Sequence, residues 1–165
     1  MNVLVKSAQQ GNAEAFIKLI EQNKQALQRV AAGFFQNEED AADAIQETIM
    51  DAYEHIGRLR KEKYFKTWLI KILINNCNEI YNHNKHYCVT DTISETEKCE
   101  QNGNDTEFKE LINLLPGNSR LIFQLFYGEQ FTTKEIANLL HMNESNVKSK
   151  LHRGKLKLKK ELQTV

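Results

Sequence analysis

The chain has 165 residues, 22 Lys and Arg balanced by 22 Asp and Glu, and a single proline, Pro116. Its hydrophobic share of 41% is enough for a packed core, which excludes wholesale disorder, and no apolar run approaches the roughly 20 residues that span a bilayer. The start, MNVLVKSAQQGNAEAF, lacks the basic head and apolar stretch of a signal peptide, so a cytoplasmic location is expected, with Cys77, Cys88 and Cys99 as reduced thiols rather than a disulfide framework or a CxxC zinc site.

In chain order, the spacing of apolar residues predicts a helix over 12–35, with Ala13, Phe16, Ile17, Ile20, Leu27, Ala31 and Phe34 near one face. QNEED breaks it. A second helix follows over about 39–56, with Ala41, Ala42, Ile45, Ile49, Ala52 and Ile56 inward, and then a basic loop, GRLRKEK, at 57–63. A third helix over about 65–82 is apolar almost all round, the pattern of a helix central to its bundle. The pattern fails from Asn82 to about Thr106, a polar and acidic stretch that fits a flexible linker. It resumes at EFKELINLL, stops at Pro116, restarts with SRLIFQLFY until Gly128, and continues in two short helices over 133–140 and about 144–162. The expected fold is all-α: two small helical domains, 1–84 and 107–165, joined by an acidic linker at 85–106.

Charge is segregated along this plan. Residues 88–110 carry a net charge of −5 and residues 111–165 a net of +5, while residues 1–87 are neutral. A basic end on a neutral body points to nucleic acid. The segment FTTKEIANLLHMNESNVKSKL has the grammar of a helix-turn-helix. Thr132 and Glu135 make a T-x-x-E capping box, His141 and Met142 the turn, and Asn143 a cap for the next helix. On that helix Val147, Leu151, Gly154, Leu158 and Leu162 form one stripe, with Leu156 opposite it and Lys148, Ser149, His152, Arg153, Lys159 and Lys160 on the other faces. An apolar stripe holds such a helix to its scaffold while its first turns reach base edges and its basic end follows phosphates. A merely solvated Lys-rich helix would need no capped partner helix before it, and the capped pattern favours DNA contact.

Earlier in the chain Glu39, Asp43, Glu47 and Asp51 recur every four residues, with Gln46 beside them. This ridge is compatible with a solvated face, with a divalent-metal site of a helical nucleotide hydrolase, or with a docking face for a basic protein. In RLRKEKYFKTWLIKILINN, Arg58, Arg60, Lys61, Lys63 and Lys66 surround Tyr64, Phe65 and Trp68, a mixture that suits single-stranded DNA. Trp68 shares a face with Leu69 and Ile72, which favours a core position for it.

Taken together these segments resemble the extracytoplasmic-function group of the sigma-70 family of bacterial RNA polymerase sigma factors, over roughly 12–82 and 107–162. DAADAIQETIMDAYEHI is similar to the D-x-x-D-x-x-Q-E helix of region 2, FKTWLIKILINNCNEIY to its T-W-L-x-x-I-x-x-N helix, and the segment from LLPGNSR to KLKKEL to region 4 with its E-I-A and V-K-S-[RK]-L-x-R signatures. The resemblance implies a non-enzymatic subunit without cofactor, metal ion or small-molecule substrate, which binds core RNA polymerase and directs promoter-specific initiation. It implies that Asp43, Gln46 and Glu47 dock on the β′ clamp helices, and that the LIFQLF helix and region 4 surface dock on the β flap. It implies that Arg58, Lys61, Lys63, Lys66, Trp68 and Asn75 serve opening of the −10 element, where a base is flipped out. Asn146, Lys148, Ser149, His152 and Arg153 are implied to read the −35 element. A membrane-anchored anti-sigma factor and an envelope-stress regulon are implied partners. Asn82 stands where many members carry arginine, His141 replaces a common glycine, and Asn146 the usual threonine. A stand-alone helix-turn-helix regulator is the rival reading, ahead of the hydrolase.

Overall fold

The computed structural model describes residues 2–87, 107 and 110–163, and all regular structure among them is helical. They belong to two compact units, one within Met1–Thr92 and one within Ile93–Val165. The acidic linker expected at 85–106 falls, from residue 88 on, outside the described residues, as do Cys88 and Cys99.

In the first unit α1 spans Asn2–Gln9, α2 Ala13–Phe34, α3 Glu38–His55 and α4 Phe65–Tyr87. Asn12 and Asn37 stop the preceding turns and cap α2 and α3, accepting from the backbone N–H of Ala15 (3.2 Å) and Glu39 (2.8 Å). Glu38, Glu39 and Asp40 fill the first turn of α3, where carboxylates meet the positive end of the helix dipole. The basic loop is more ordered than the sequence indicated: it is built of two short 3₁₀ turns, Ile56–Arg58 and Glu62–Tyr64.

α4 packs against α3 and α2 and carries the centre of the core, with Phe65, Leu69, Ile70, Leu73, Ile74 and Cys77 buried. It continues to Tyr87 rather than ending near residue 82. The inward faces of α2 and α3 are rotated from the expected ones. Ala13 and Ile17 are exposed, and Leu19, Asn23, Ala26 and Val30 join Phe16, Leu27 and Ala31 inside. On α3 the buried line is Ala44, Thr48 and Ala52, while Ala42 is exposed. The reason is that α2 touches three helices, α1, α3 and α4, and its buried face is wider than one stripe. The buried polar residues of the two helices are satisfied locally: on α3 Thr48 Oγ1 donates to the Ala44 carbonyl (2.6 Å), and on α2 Asn23 Nδ2 to that of Leu19 (2.8 Å).

In the second unit α5 spans Gly117–Phe123 and runs into a π-helical turn at Gln124–Gly128; α6 spans Thr133–Leu140 and α7 Glu144–Gln163. Leu121, Ile122, Phe123 and Leu125 form the core with Ile136, Leu139, Val147 and Leu151. Gly154 is buried in the middle of α7 because the Phe123 ring occupies the space a side chain would need: a Cβ there would lie 2.8 Å from Cζ and closer still to Cε2.

Candidate nucleic-acid interface

The helix-turn-helix forms with the caps its sequence specifies. The Thr132 hydroxyl accepts from the Glu135 N–H (3.2 Å) and the Glu135 carboxylate accepts from the Thr132 N–H (2.8 Å). At the other end of α6, His141 adopts the left-handed conformation (φ 53°, ψ 44°), and the Met142 N–H returns to the Ala137 carbonyl (2.9 Å), closing a Schellman-type end. Asn143 Oδ1 then accepts from the Ser145 N–H (3.0 Å) and starts α7. Thr133, first in α6, donates to Glu144, first in α7 (2.9 Å). Lys148 Nζ lies 3.6 Å from the same carboxylate. Both contacts, the hydroxyl first, hold the Glu144 carboxyl below its usual pKa.

With Val147, Leu151 and Gly154 turned inward, Asn146, Lys148, Ser149, His152 and Arg153 are all exposed along the opposite side of α7. Arg153 Nε reaches back only weakly to the Ser149 carbonyl (3.4 Å), leaving its guanidinium at the surface. Lys150, Arg153 and Lys157 line one side of an open cleft of about 510 Å³ whose other side is residues 115–119. This is a surface of hydrogen-bonding side chains flanked by cations, suited to base edges and phosphates.

The stripe expected on α7 holds only for its first half. Leu158 is half-buried, and Leu162 is 61% exposed, like Leu156 at 55%. Leu158 and Leu162 instead line an apolar groove of about 460 Å³ with Leu111, Ile112, Phe123 and Tyr127. The LIFQLF side chains expected to meet a partner are used mainly in the unit's own core. The groove, which the sequence did not indicate, is the apolar surface left over.

In the first unit Arg58, Arg60, Lys61 and Lys63 are exposed on the segment between α3 and α4. The aromatics there divide: Phe65 is fully buried, Tyr64 is exposed with Lys63 Nζ 4.9 Å above its ring, and Trp68 lies half-buried against Phe65 with ring centroids 5.9 Å apart. Trp68 is thus neither the core residue that its spacing favoured nor fully open. Lys66, two residues before it, is half-buried, and Asn75 is exposed two turns further along the face of α4 that carries Trp68.

The acidic ridge on α3 is also divided. Its Asp51 accepts from Asn76 Nδ2, as Asp40, next to the ridge's Glu39, does from Asn84 Nδ2, each at 3.0 Å, so both are tied to α4. Asp43, Gln46 and Glu47, between them, are exposed. Among the described residues no cluster of three or more His, Cys, Asp or Glu could hold a metal ion, and no helix is long and apolar enough to cross a membrane.

Comparison with known proteins gives both halves the same origin. Residues 19–86 match the family described as Sigma-70 region 2, and residues 105–158 match Sigma-70, region 4. The chain is 30% identical over 141 residues to the RNA polymerase sigma factor SigV of Bacillus subtilis, covering 84% of this chain and 85% of that one. It is 29% identical over 127 residues to the ECF RNA polymerase sigma factor SigM of the same organism, covering 72% and 77%. Among solved structures, CnrH in complex with the cytosolic domain of CnrY superposes with a TM-score of 0.70 at 21% identity, over 99% of this chain and 97% of that one. The sigma factor RpoE of Bartonella quintana, bound to the anti-sigma factor NepR, superposes with a TM-score of 0.71 at 18% identity, over 92% and 98%.

Proposed function

The chain belongs to the sigma-70 family, in its extracytoplasmic-function group, and from that premise we propose a division of labour among its surfaces. Asp43, Gln46 and Glu47 bind the β′ clamp helices of core RNA polymerase. Arg58, Lys61, Lys63, Lys66, Trp68 and Asn75 open and hold the −10 element. Asn146, Lys148, Ser149, His152 and Arg153 read the −35 element. The groove beside Tyr127 and Leu162 takes the β flap. The observation that carries this reading is the doubly capped helix-turn-helix, which presents its exposed polar residues and cations on the side away from its packed stripe.

An anti-sigma factor is the proposed regulator, since the structural neighbours CnrH and RpoE are held in complexes with CnrY and NepR. A membrane anchor on that regulator, an envelope-stress regulon and residence in the cytoplasm, where core polymerase and promoter DNA meet, complete the proposal.

Run-off transcription on fragmented host DNA, with core polymerase alone and with the chain added, tests it. Discrete new transcripts that need both components are expected. Tight binding of promoter duplex by the chain without polymerase would instead point to a stand-alone regulator. Nucleotide hydrolysis dependent on Mg²⁺ would point to an enzyme.

A further inference from the structure

We propose that Gln9, on the N-terminal helix, is a positioning residue for the basic segment between α3 and α4; its functional part rests on the role of that segment in −10 opening. The side-chain amide of Gln9 donates to two backbone carbonyls, those of Ile56 (3.0 Å) and Leu59 (2.9 Å). Its Nε2 carries two hydrogens, and both are engaged. The two carbonyls bracket the 3₁₀ turn that ends α3 and begins the basic segment, and the Leu59 N–H closes the turn on the same Ile56 carbonyl (3.2 Å).

The carbonyls of a helix end need partners from outside the helix, and here one side chain of a remote element serves both ends of a turn. Gln9 is itself well anchored, because it ends α1, whose Val5 and Ala8 are buried and which packs on α2. A second, weaker tie runs the same way. Lys6 Nζ lies 3.8 Å from Glu62, in the other 3₁₀ turn, at a solvent-exposed site where an ion pair contributes little. α1 therefore holds the first turn, which carries Arg58, and touches the second, which carries Lys63; Arg60 and Lys61 lie between the two. Directing these cations along one path requires the backbone beneath them to hold still, and Gln9 supplies that restraint without touching DNA.

The test compares Gln9→Glu, which replaces the donor by an acceptor facing two carbonyl oxygens, with Gln9→Lys, which restores donors. Hydrogen exchange of the full-length free protein reads the clamp directly. Amides at 57–63 in Gln9→Glu should exchange about tenfold faster than in wild type, with those of α4 unchanged, as expected for the loss of two hydrogen bonds. Gln9→Lys should stay close to wild type. Unchanged exchange at 57–63 in Gln9→Glu, or equal acceleration throughout the first unit, overturns the clamp.

Promoters first mapped with wild-type holoenzyme then serve for permanganate footprinting. Gln9→Glu holoenzyme should form open complex several-fold more slowly with core affinity unchanged, and Gln9→Lys should recover most of the rate. Wild-type opening rates in Gln9→Glu, or a parallel fall in core affinity, overturn the positioning role. Failure of the wild-type protein to direct any transcription would defeat the sigma-factor reading instead, and leave the exchange result standing on its own.

Discussion

The Thr133 hydroxyl and the Glu144 carboxylate, first residues of two successive helices, are joined by a 2.9 Å hydrogen bond. It ties the start of α6 directly to the start of α7. Glu144 serves three purposes at once: it meets the positive end of the α7 dipole, pairs with Lys148 at one helical turn, and accepts the Thr133 hydroxyl of α6.

The lowered pKa of Glu144 has a signed consequence. A carboxyl held below its usual value of 4.5 contributes stability that is fully present above that value and disappears as pH falls through the lowered one. The stability difference between wild type and Glu144→Gln should therefore be constant from neutrality down to about pH 5 and shrink below it. Urea unfolding at a series of pH values, followed by helical circular dichroism, measures this. A difference that grows with acidification would contradict the assignment.

Gly154→Ala should destabilise the second unit by about 1–3 kcal/mol, the usual cost of overpacking a core. Helix propensity alone predicts the opposite sign, since alanine is favoured over glycine mid-helix by about 1 kcal/mol. Adding Phe123→Leu to Gly154→Ala should recover part of the loss, because the ring is what the new methyl meets. Thermal unfolding of the two variants and wild type separates these outcomes.

His141→Gly should raise stability by about 0.5–1 kcal/mol, since a non-glycine residue in the left-handed region carries a steric cost. The glycine's greater freedom in the unfolded chain offsets part of the gain. His141→Val should lose stability by more than His141→Gly gains. Chemical denaturation midpoints give both values.

Arg153→Ala and Glu47→Ala should separate the two interfaces. The first should lower transcription from −35-dependent promoters by roughly tenfold or more, the scale of a lost base contact, and reduce the salt dependence of holoenzyme binding. Core affinity should be unchanged. Glu47→Ala should weaken core binding several-fold and leave promoter choice intact. If Glu47→Ala left core affinity at the wild-type level, the docking role of the α3 ridge would be wrong.

Burial without a charged partner pushes the Cys77 thiol up to about 12, so the thiolate that reacts with alkylating agents is essentially missing at neutral pH. In a Cys88→Ser, Cys99→Ser background, iodoacetamide should modify Cys77 only on the time scale of unfolding. Rapid modification of the native protein would show that the α4 core opens far more often than its packing implies.

Much of the fold is legible in the sequence where short-range chemistry decides the outcome. Thr132 with Glu135, and Asn143 before a basic helix, specify caps that depend on a few neighbouring residues, and both caps form as read. Faces are less legible, because they depend on how many neighbours a helix has. Periodicity puts Ile17 inside and leaves Leu19 out, whereas α2 meets α1, α3 and α4 across a face broader than one periodic stripe. α1 itself leaves only a short trace: Leu4, Val5 and Ala8 share its packed side, one helical turn that does not by itself set a period, and Val3 is exposed. Leu162 completes a periodic stripe on paper, yet the core it would join ends before the helix does. Spacing alone places Trp68, and no sequence signal marks that its ring stops half-way out, against Phe65.

Both helices of the helix-turn-helix begin on side chains of the motif itself, Thr132 with Glu135 and Asn143. Such a motif meets DNA already folded. Its association should then show a heat-capacity change that scales with the contact area alone, without the large added term that accompanies folding on binding. Weak promoter affinity in the free chain would not be the cost of ordering this motif, and stiffening it further would not make the chain independent of the polymerase.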